Sequence, residues 1–170
     1  MRNLEAKFPL ADHARAHASA RAIGYTERAI LGQRDTFFRV ARGKLKLREI
    51  RGETGGTLIY YARDERGGLQ LSNYAIAPVA DPAAIRAMLA AALGILAEVR
   101  KERILLTRGN LRLHLDRVAE LGDFGEIEAV IADGDDPESS RAAVDELLAA
   151  LGVAREDLIG LSYFEMLSAR

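Results

Sequence analysis

Leu111-Arg112-Leu113-His114-Leu115-Asp116 alternates a leucine with a polar or charged residue at every step. Successive side chains of a strand leave on opposite faces. The run therefore puts three leucines on one face and Arg112, His114 and Asp116 on the other. The same grammar recurs along the chain. Lys44, Lys46 and Arg48 alternate with Leu45, Leu47 and, less cleanly, Glu49; Glu126 and Glu128 alternate with Ile127 and Ala129; Lys101 and Arg103 fall two apart. One face is apolar and the other charged, with both signs present in different strands.

Alternation admits two readings. The first is a half-exposed sheet whose polar face meets water. In the second the sheet closes and the charges meet across a lumen. Two details favour closure. The charged face uses Arg, Lys, Glu, Asp and His almost without the Thr and Ser common on exposed strands. Basic residues also cluster early (Arg34, Arg39, Arg42, Lys44, Lys46, Arg48, Arg51), while Glu126 and Glu128 lie late. A lumen of this kind suits a polyphosphate, because Arg and Lys neutralise phosphate oxygens. Carboxylates near phosphate need a hard divalent cation between them, and Mg²⁺ or Mn²⁺ prefers such oxygen ligands.

Strands are expected at 2–8, 34–41, 44–51, 57–64, 69–76, 98–106, 110–117 and 123–132. Turn signals at Arg42-Gly43, Gly55-Gly56, Gly67-Gly68 and Gly109-Asn110 separate several of them. Helices are expected over Ala11 to Ala22, from Asp81-Pro82 to Gly94, and from Asp136-Pro137 to Gly152, with a short one within Asp157 to Leu167. Asp before Pro caps a helix and Gly ends it. Strands dominate without strict βαβ alternation, so the expected class is antiparallel α+β, not a doubly wound sheet.

The 170 residues are expected to form a single domain, 1–170. Apolar residues are 49% and charged residues 29% of the chain, ordinary for a soluble protein. A net charge of −1 offers no global field for nucleic acid or a membrane. With no cysteine, disulfides, thiolate metal sites and a Cys nucleophile are excluded. No long apolar run or signal-peptide pattern is evident, and the expected location is cytoplasmic.

Several runs together resemble the CYTH superfamily, the triphosphate tunnel metalloenzymes, in its class IV adenylate cyclase-like and thiamine triphosphatase-like branch. They are Asn3-Leu4-Glu5-Ala6-Lys7, Gln33-Arg34-Asp35-Thr36-Phe37-Phe38, Gly43-Lys44-Leu45-Lys46-Leu47-Arg48 and Ile59-Tyr60-Tyr61-Ala62-Arg63. Val99-Arg100-Lys101-Glu102-Arg103, His114-Leu115-Asp116-Arg117-Val118 and Leu121-Gly122-Asp123-Phe124-Gly125-Glu126-Ile127-Glu128 follow in order, so that the resemblance spans residues 2 to about 131. The resemblance implies an eight-stranded antiparallel β-barrel with flanking helices and an open tunnel. It implies Glu5, Glu126 and Glu128 as ligands of Mg²⁺ or Mn²⁺, with Asp116 as a further ligand or an orienter of water. It implies phosphate contacts from Lys7, Arg39, Lys44, Lys46, Arg48, Arg63, Lys101, Arg103 and Arg112, and a catalytic set of Asp116, Glu126 and Lys101. One departure stands out: the first Glu of the family's opening strand is Asn3 here, which offers a carbonyl oxygen in place of a carboxylate.

Other residues carry blander readings. His13 and His17 have metal-ligand spacing without an evident third ligand. His114 reads as hydrogen-bonded within a polar lumen, Glu49 and Arg51 as solvated, and Phe37, Tyr60, Tyr61 and Tyr74 as barrel packing or as stacking groups for a ring. The expected function is a divalent-metal-dependent phosphohydrolase acting on a triphosphate or phosphoester small molecule. The alternatives are a class IV adenylate cyclase and a non-catalytic polyphosphate or nucleotide binder. No nucleic-acid or membrane partner is expected, and a homodimer is left open.

Overall fold

The computed structural model describes residues 2–63, 70–132 and 137–169. In chain order they form β1 (Arg2–Pro9), α1 (His13–Ala22), β2 (Thr26–Phe38), β3 (Lys44–Ile50), β4 (Gly56–Arg63), β5 (Gln70–Val79), α2 (Pro82–Leu93), β6 (Ile95–Arg108), β7 (Leu111–Val118), β8 (Gly122–Ile131), α3 (Pro137–Leu151) and α4 (Tyr163–Ser168). The eight strands close into an antiparallel barrel in the order β1-β5-β4-β3-β2-β6-β7-β8, with β8 pairing back onto β1. The half-solvated sheet is thereby excluded. Charges on the inner face are buried: Asp35, Lys101, Arg103, Asp116 and Glu126 are all under 9% exposed.

Alternation builds the outer layer as well. Leu111, Leu113 and Leu115 leave β7 outward and join Leu4, Ala6 and Phe8 of β1 and Ile127 and Ala129 of β8. α1 and α3 cover this face with Ala16, Ala20, Val144, Leu147 and Leu148. Leu113 is 0% exposed, and truncating such a leucine to alanine costs about 2–5 kcal/mol. Two glycines are needed by geometry. Gly109 takes φ of 58° in the short β6–β7 turn, and a Cβ on Gly125 would overlap the ring of Phe8, its β1 partner.

The helices begin where capping residues place them. Asp12 accepts from Arg15 N at 3.0 Å and Asp81 from Ala84 N at 2.9 Å, with Pro82 opening α2 and Gly94 ending it. α2 differs from α3 in burying none of its residues. Among the described residues no helix is long and apolar enough to cross a membrane.

Several boundaries move. β2 begins at Thr26, not 34, and ends at Phe38, not 41; β6 runs over 95–108 in place of 98–106, and β5 reaches Val79. The early half of β2 is mostly exposed, so its sequence carries no inward-outward alternation. The extra length is held by pairing with β6, from Thr26 opposite Thr107 to Phe38 opposite Ile95. The tail gives only the short α4, after a 3-10 turn at Arg155–Asp157. Positions 64 and 69 of the expected strands, the Gly67-Gly68 turn and Asp136 lie outside the described residues.

Candidate functional site

The barrel's inner side chains enclose a cavity of about 330 Å³. Two clusters of one design dominate it. On β2 and β3, Asp35 stands opposite Arg48. Arg48 donates through Nε and Nη2 to the two Asp35 oxygens at 2.8 and 2.7 Å, and Lys46 Nζ adds a third bond at 2.9 Å. On β7 and β6, Asp116 stands opposite Arg103. Arg103 donates its fork at 2.6 Å to each Asp116 oxygen, and Lys101 reaches the same carboxylate at 3.3 Å. In both clusters the lysine precedes the arginine by two residues, so one strand aims both cations inward. Such bidentate Arg–carboxylate pairs hold the guanidinium plane fixed.

The second cluster has additional partners. Tyr163 of α4 donates its hydroxyl to Asp116 at 2.9 Å, and Arg103 also donates to Glu126 at 2.7 Å. Lys7 lies 3.3 Å from the other Glu126 oxygen. The tail packs across this end of the barrel: Ile159 N donates to the Lys7 carbonyl at 2.7 Å, and the Tyr163 ring lies 4.3 Å below the Lys7 ammonium. Phe164 meets Phe37 with ring centroids 4.7 Å apart.

Proton affinities follow from this crowding. Burial would raise Asp35, but Arg48 and Lys46 outweigh it and hold the carboxyl well below its usual range. The same contest, with Arg103 and Lys101 as the cations, depresses Asp116. Burial would also raise Glu126; Lys7, the His114 hydrogen bond and Arg103 bring it down. Burial, then Arg103, pulls Lys101 down to about 7 against the attraction of Asp116. Burial and Arg103 likewise lower His114.

Ligand atoms of His114, Glu126 and Glu128 lie within 4.8 Å of one another. Glu5 faces Glu128 across β1 and β8, on the cavity wall. An imidazole and up to three carboxylates form a donor set that fits a divalent cation, and like charges opposed on adjacent strands favour one. Asp116 differs, since its oxygens already accept from Arg103, Lys101 and Tyr163.

Of the residues read from the sequence, Glu5, Lys7, Lys46, Arg48, Lys101, Arg103, Arg112, Glu126 and Glu128 all line this one cavity, and Asp116 lies behind it at 0% exposure. Two stand apart: Lys44 pairs with Glu165 at 2.7 Å, and Arg39 is exposed beyond the end of β2. The side chain of Arg63 lies outside the described residues. His13 and His17 turn to different partners, Asp123 at 3.6 Å and Glu27 at 2.8 Å. Glu49 is not solvated; it sits between Arg34 and Arg86, each at 2.7 Å. Asp35 and Tyr163 were missed. Asp35 shares a strand face with Gln33 and Phe37 and carries no charge alternation of its own, and Tyr163 arrives from the tail.

The sequence model of the CYTH domain matches residues 1–163. A search of curated proteins found no match to the chain. Among solved structures, the PH1012 protein of Pyrococcus horikoshii OT3 superposes with a TM-score of 0.85 at 22% identity, over 96% of this chain and 98% of that one. A proposed adenylate cyclase of Vibrio parahaemolyticus gives 0.79 at 18% identity, over 98% and 97%. HpAC1 of Hippeastrum, a proposed adenylyl cyclase with a dominant triphosphatase activity, gives 0.70 at 16%, over 98% and 95%. The closed barrel is common to them, and the match over nearly the whole sequence, together with a lumen built of paired acids and bases, identifies this chain as a member of the CYTH domain family.

Proposed function

We propose that the protein is a divalent-metal-dependent phosphohydrolase that takes a triphosphate or other phosphorylated small molecule into the barrel. The carrying observation is that Lys46, Arg48, Lys101 and Arg103 share one cavity with Glu5, Glu126 and Glu128. Phosphate oxygens would compete with Asp35 and Asp116 for the arginine forks, and the two lysines would follow. Asp116 would position Arg103 and Lys101, and Tyr163 would position Asp116. His114, Glu126, Glu128 and Glu5 would hold Mg²⁺ or Mn²⁺, which when bound supplies positive charge between carboxylate and phosphate. The basic groups would stabilise charge that builds on the transferring and leaving phosphates as water attacks phosphorus and the P–O bond breaks.

The test is a panel of ATP, thiamine triphosphate, inorganic triphosphate and simple phosphoesters with either metal, products separated by chromatography. Orthophosphate release that stops in EDTA is expected. Cyclic AMP with pyrophosphate would replace the hydrolase by a cyclase, and tight binding without turnover would leave a binder.

A further inference from the structure

Two of the outer helices show water the charge expected of a surface helix. α1 exposes Arg15 and Arg21, and α3 exposes Glu138 and Glu146. α2 does not. Its one charged residue, Arg86, is held by Glu49 of β3 at 2.7 Å. Ile85, Arg86, Leu89 and Ala90 form its half-buried side, and Ala83, Ala84, Ala87, Met88, Ala91 and Ala92 its exposed one. A helix apolar on its outer as well as its inner side is normally enclosed. Within this chain α2 buries none of its residues, and Met88 is 65% exposed. The uncharged surface continues past its last turn, where Leu93, Ile95 and Leu96 are exposed.

The two ends of this helix carry opposite charge. At its start stand the exposed capping residue Asp81 and Glu53, which shares a groove with Pro82. At its end the Arg39 side chain lies against Gly94, and Arg39 N donates to the Gly94 carbonyl at 3.1 Å. Exposed Arg42 follows in the same turn. Arg51, also near the start, leans over Gly32 instead. Two copies of α2 laid antiparallel across a two-fold axis set each acidic start against a basic end, whereas a parallel pair sets like charges together. The alanines let two helix axes approach to about 8 Å, and Met88 adapts to the gap. A bilayer-bound helix instead carries Lys and Arg along its polar face, and here the one such residue is already paired. The barrel is closed, so among the described residues there is no free strand edge for a second copy to join.

We infer that the outer side of α2, continued by Leu93, Ile95 and Leu96, is a docking surface for a second copy of this chain, packed antiparallel about a two-fold axis near Ala87. α2 is about 18 Å long and about 10 Å across, so its outer side alone gives less than the ~800 Å² per partner of a standard interface. The apolar run to Leu96 and the charged ends enlarge the contact, and the copies associate at micromolar strength. The contact lies outside the barrel. Each copy keeps its own cavity, and the inference is independent of the phosphate chemistry.

Sedimentation velocity of the unaltered chain from about 1 to about 200 µM should show a monomer–dimer equilibrium with Kd on the order of 10 µM. Met88→Asp places two carboxylates beside the axis and should weaken association at least about tenfold. The side chain is exposed in the single chain, so far-ultraviolet circular dichroism should be unchanged. Because the chain has no cysteine, single substitutions report the orientation. Under mild oxidation Ala87→Cys should cross-link to itself, and Ala83→Cys should favour Ala91→Cys in a mixture over its own kind. A chain that stays monomeric at about 200 µM, or a dimer indifferent to Met88→Asp, would overturn the inference. Self-cross-linking of Ala83→Cys in place of the mixed product would overturn the antiparallel packing. Flotation with phosphatidylserine vesicles checks the other occupant: binding of the monomeric chain that Met88→Asp abolishes would give this face to a membrane and overturn the docking of a second copy.

Discussion

The lumen contains one arrangement twice, an aspartate gripped by an arginine fork and a lysine, and the two copies differ in what surrounds them. Around Asp35, Lys46 and Arg48 keep side-chain exposures of 14% and 20%. Around Asp116, Lys101 and Arg103 fall to 3% and 4%, and Tyr163 and Glu126 join the network. The first pair of cations can still turn toward an incoming anion or water. The second pair lines the same cavity but is more deeply buried and held by more partners, so it moves less readily toward a ligand. Similar residues thus divide into an adaptable cradle and a rigid one.

The largest expected effect comes from removing each carboxylate in turn. Asp116→Asn should destabilise the fold by about 3–5 kcal/mol, since two buried cations lose their partner. Asp35→Asn should cost about 1–2 kcal/mol, because Lys46 and Arg48 can recover hydration. Urea midpoints check both, and equal losses would erase the distinction.

Metal is the next lever, because the His114, Glu126 and Glu128 group is joined directly to the second cluster by the Arg103–Glu126 ion pair. Mg²⁺ or Mn²⁺ at a hundredfold excess over its dissociation constant should add about 2.7 kcal/mol of stability. Glu128→Gln should abolish most of that gain and Asp35→Asn should leave it. Thermal melts with and without EDTA read the outcome, and a gain that survives Glu128→Gln would move the cation elsewhere.

The lysines allow a pH test. The folded Lys101 titrates near 7, far below the ordinary 10.5. Below pH 7 it is protonated in both states. From about 7 to 10.5 the unfolded chain holds a proton the folded one lacks, so stability rises with pH across that window. Between pH 7 and 9 the unaltered protein should gain about 1–2 kcal/mol relative to Lys101→Met, within the limit of one proton. Lys46 is also lowered by burial and Arg48, and comparison with Lys46→Met shows whether the more open cluster behaves the same way. A flat difference between the unaltered protein and Lys101→Met would remove the buried ammonium from the account.

The smallest effect is expected at Tyr163. Tyr163→Phe deletes one hydroxyl donated to Asp116 and should cost about 1 kcal/mol, with no counterpart near Asp35. Because the ring stays beneath Lys7, a loss of several kcal/mol would mean that the hydroxyl orders the whole tail.

Legibility followed local pattern. β3, β7 and β8 were readable because an alternating leucine or isoleucine marks the outer face, and α2 because Asp81-Pro82 and Gly94 bracket it. The residues that meet in the cavity were readable wherever they sat on such strands. The early half of β2 was not, since an exposed strand held by its partner needs no alternation. Nor was Asp35, whose neighbours on its face are Gln33 and Phe37. Its meaning depends on Arg48 lying directly opposite, and register is a property of two strands. Glu49 was misjudged for the same reason: Arg86, one of its two partners, comes from a helix remote in sequence.

Closure of β1 onto β8 has a consequence for the order of assembly. The first strand finds its second neighbour only when the last strand is in place, so Glu5 and Glu128 come together at the end of a long loop search. A nascent or partly folded chain can hold the local β6–β7 and β7–β8 hairpins while having no complete tunnel, which leaves it unable to capture phosphate before the fold is finished. Pulse-labelled hydrogen exchange would record late protection of β1 amides relative to those of β7, and early protection of β1 would refute that order.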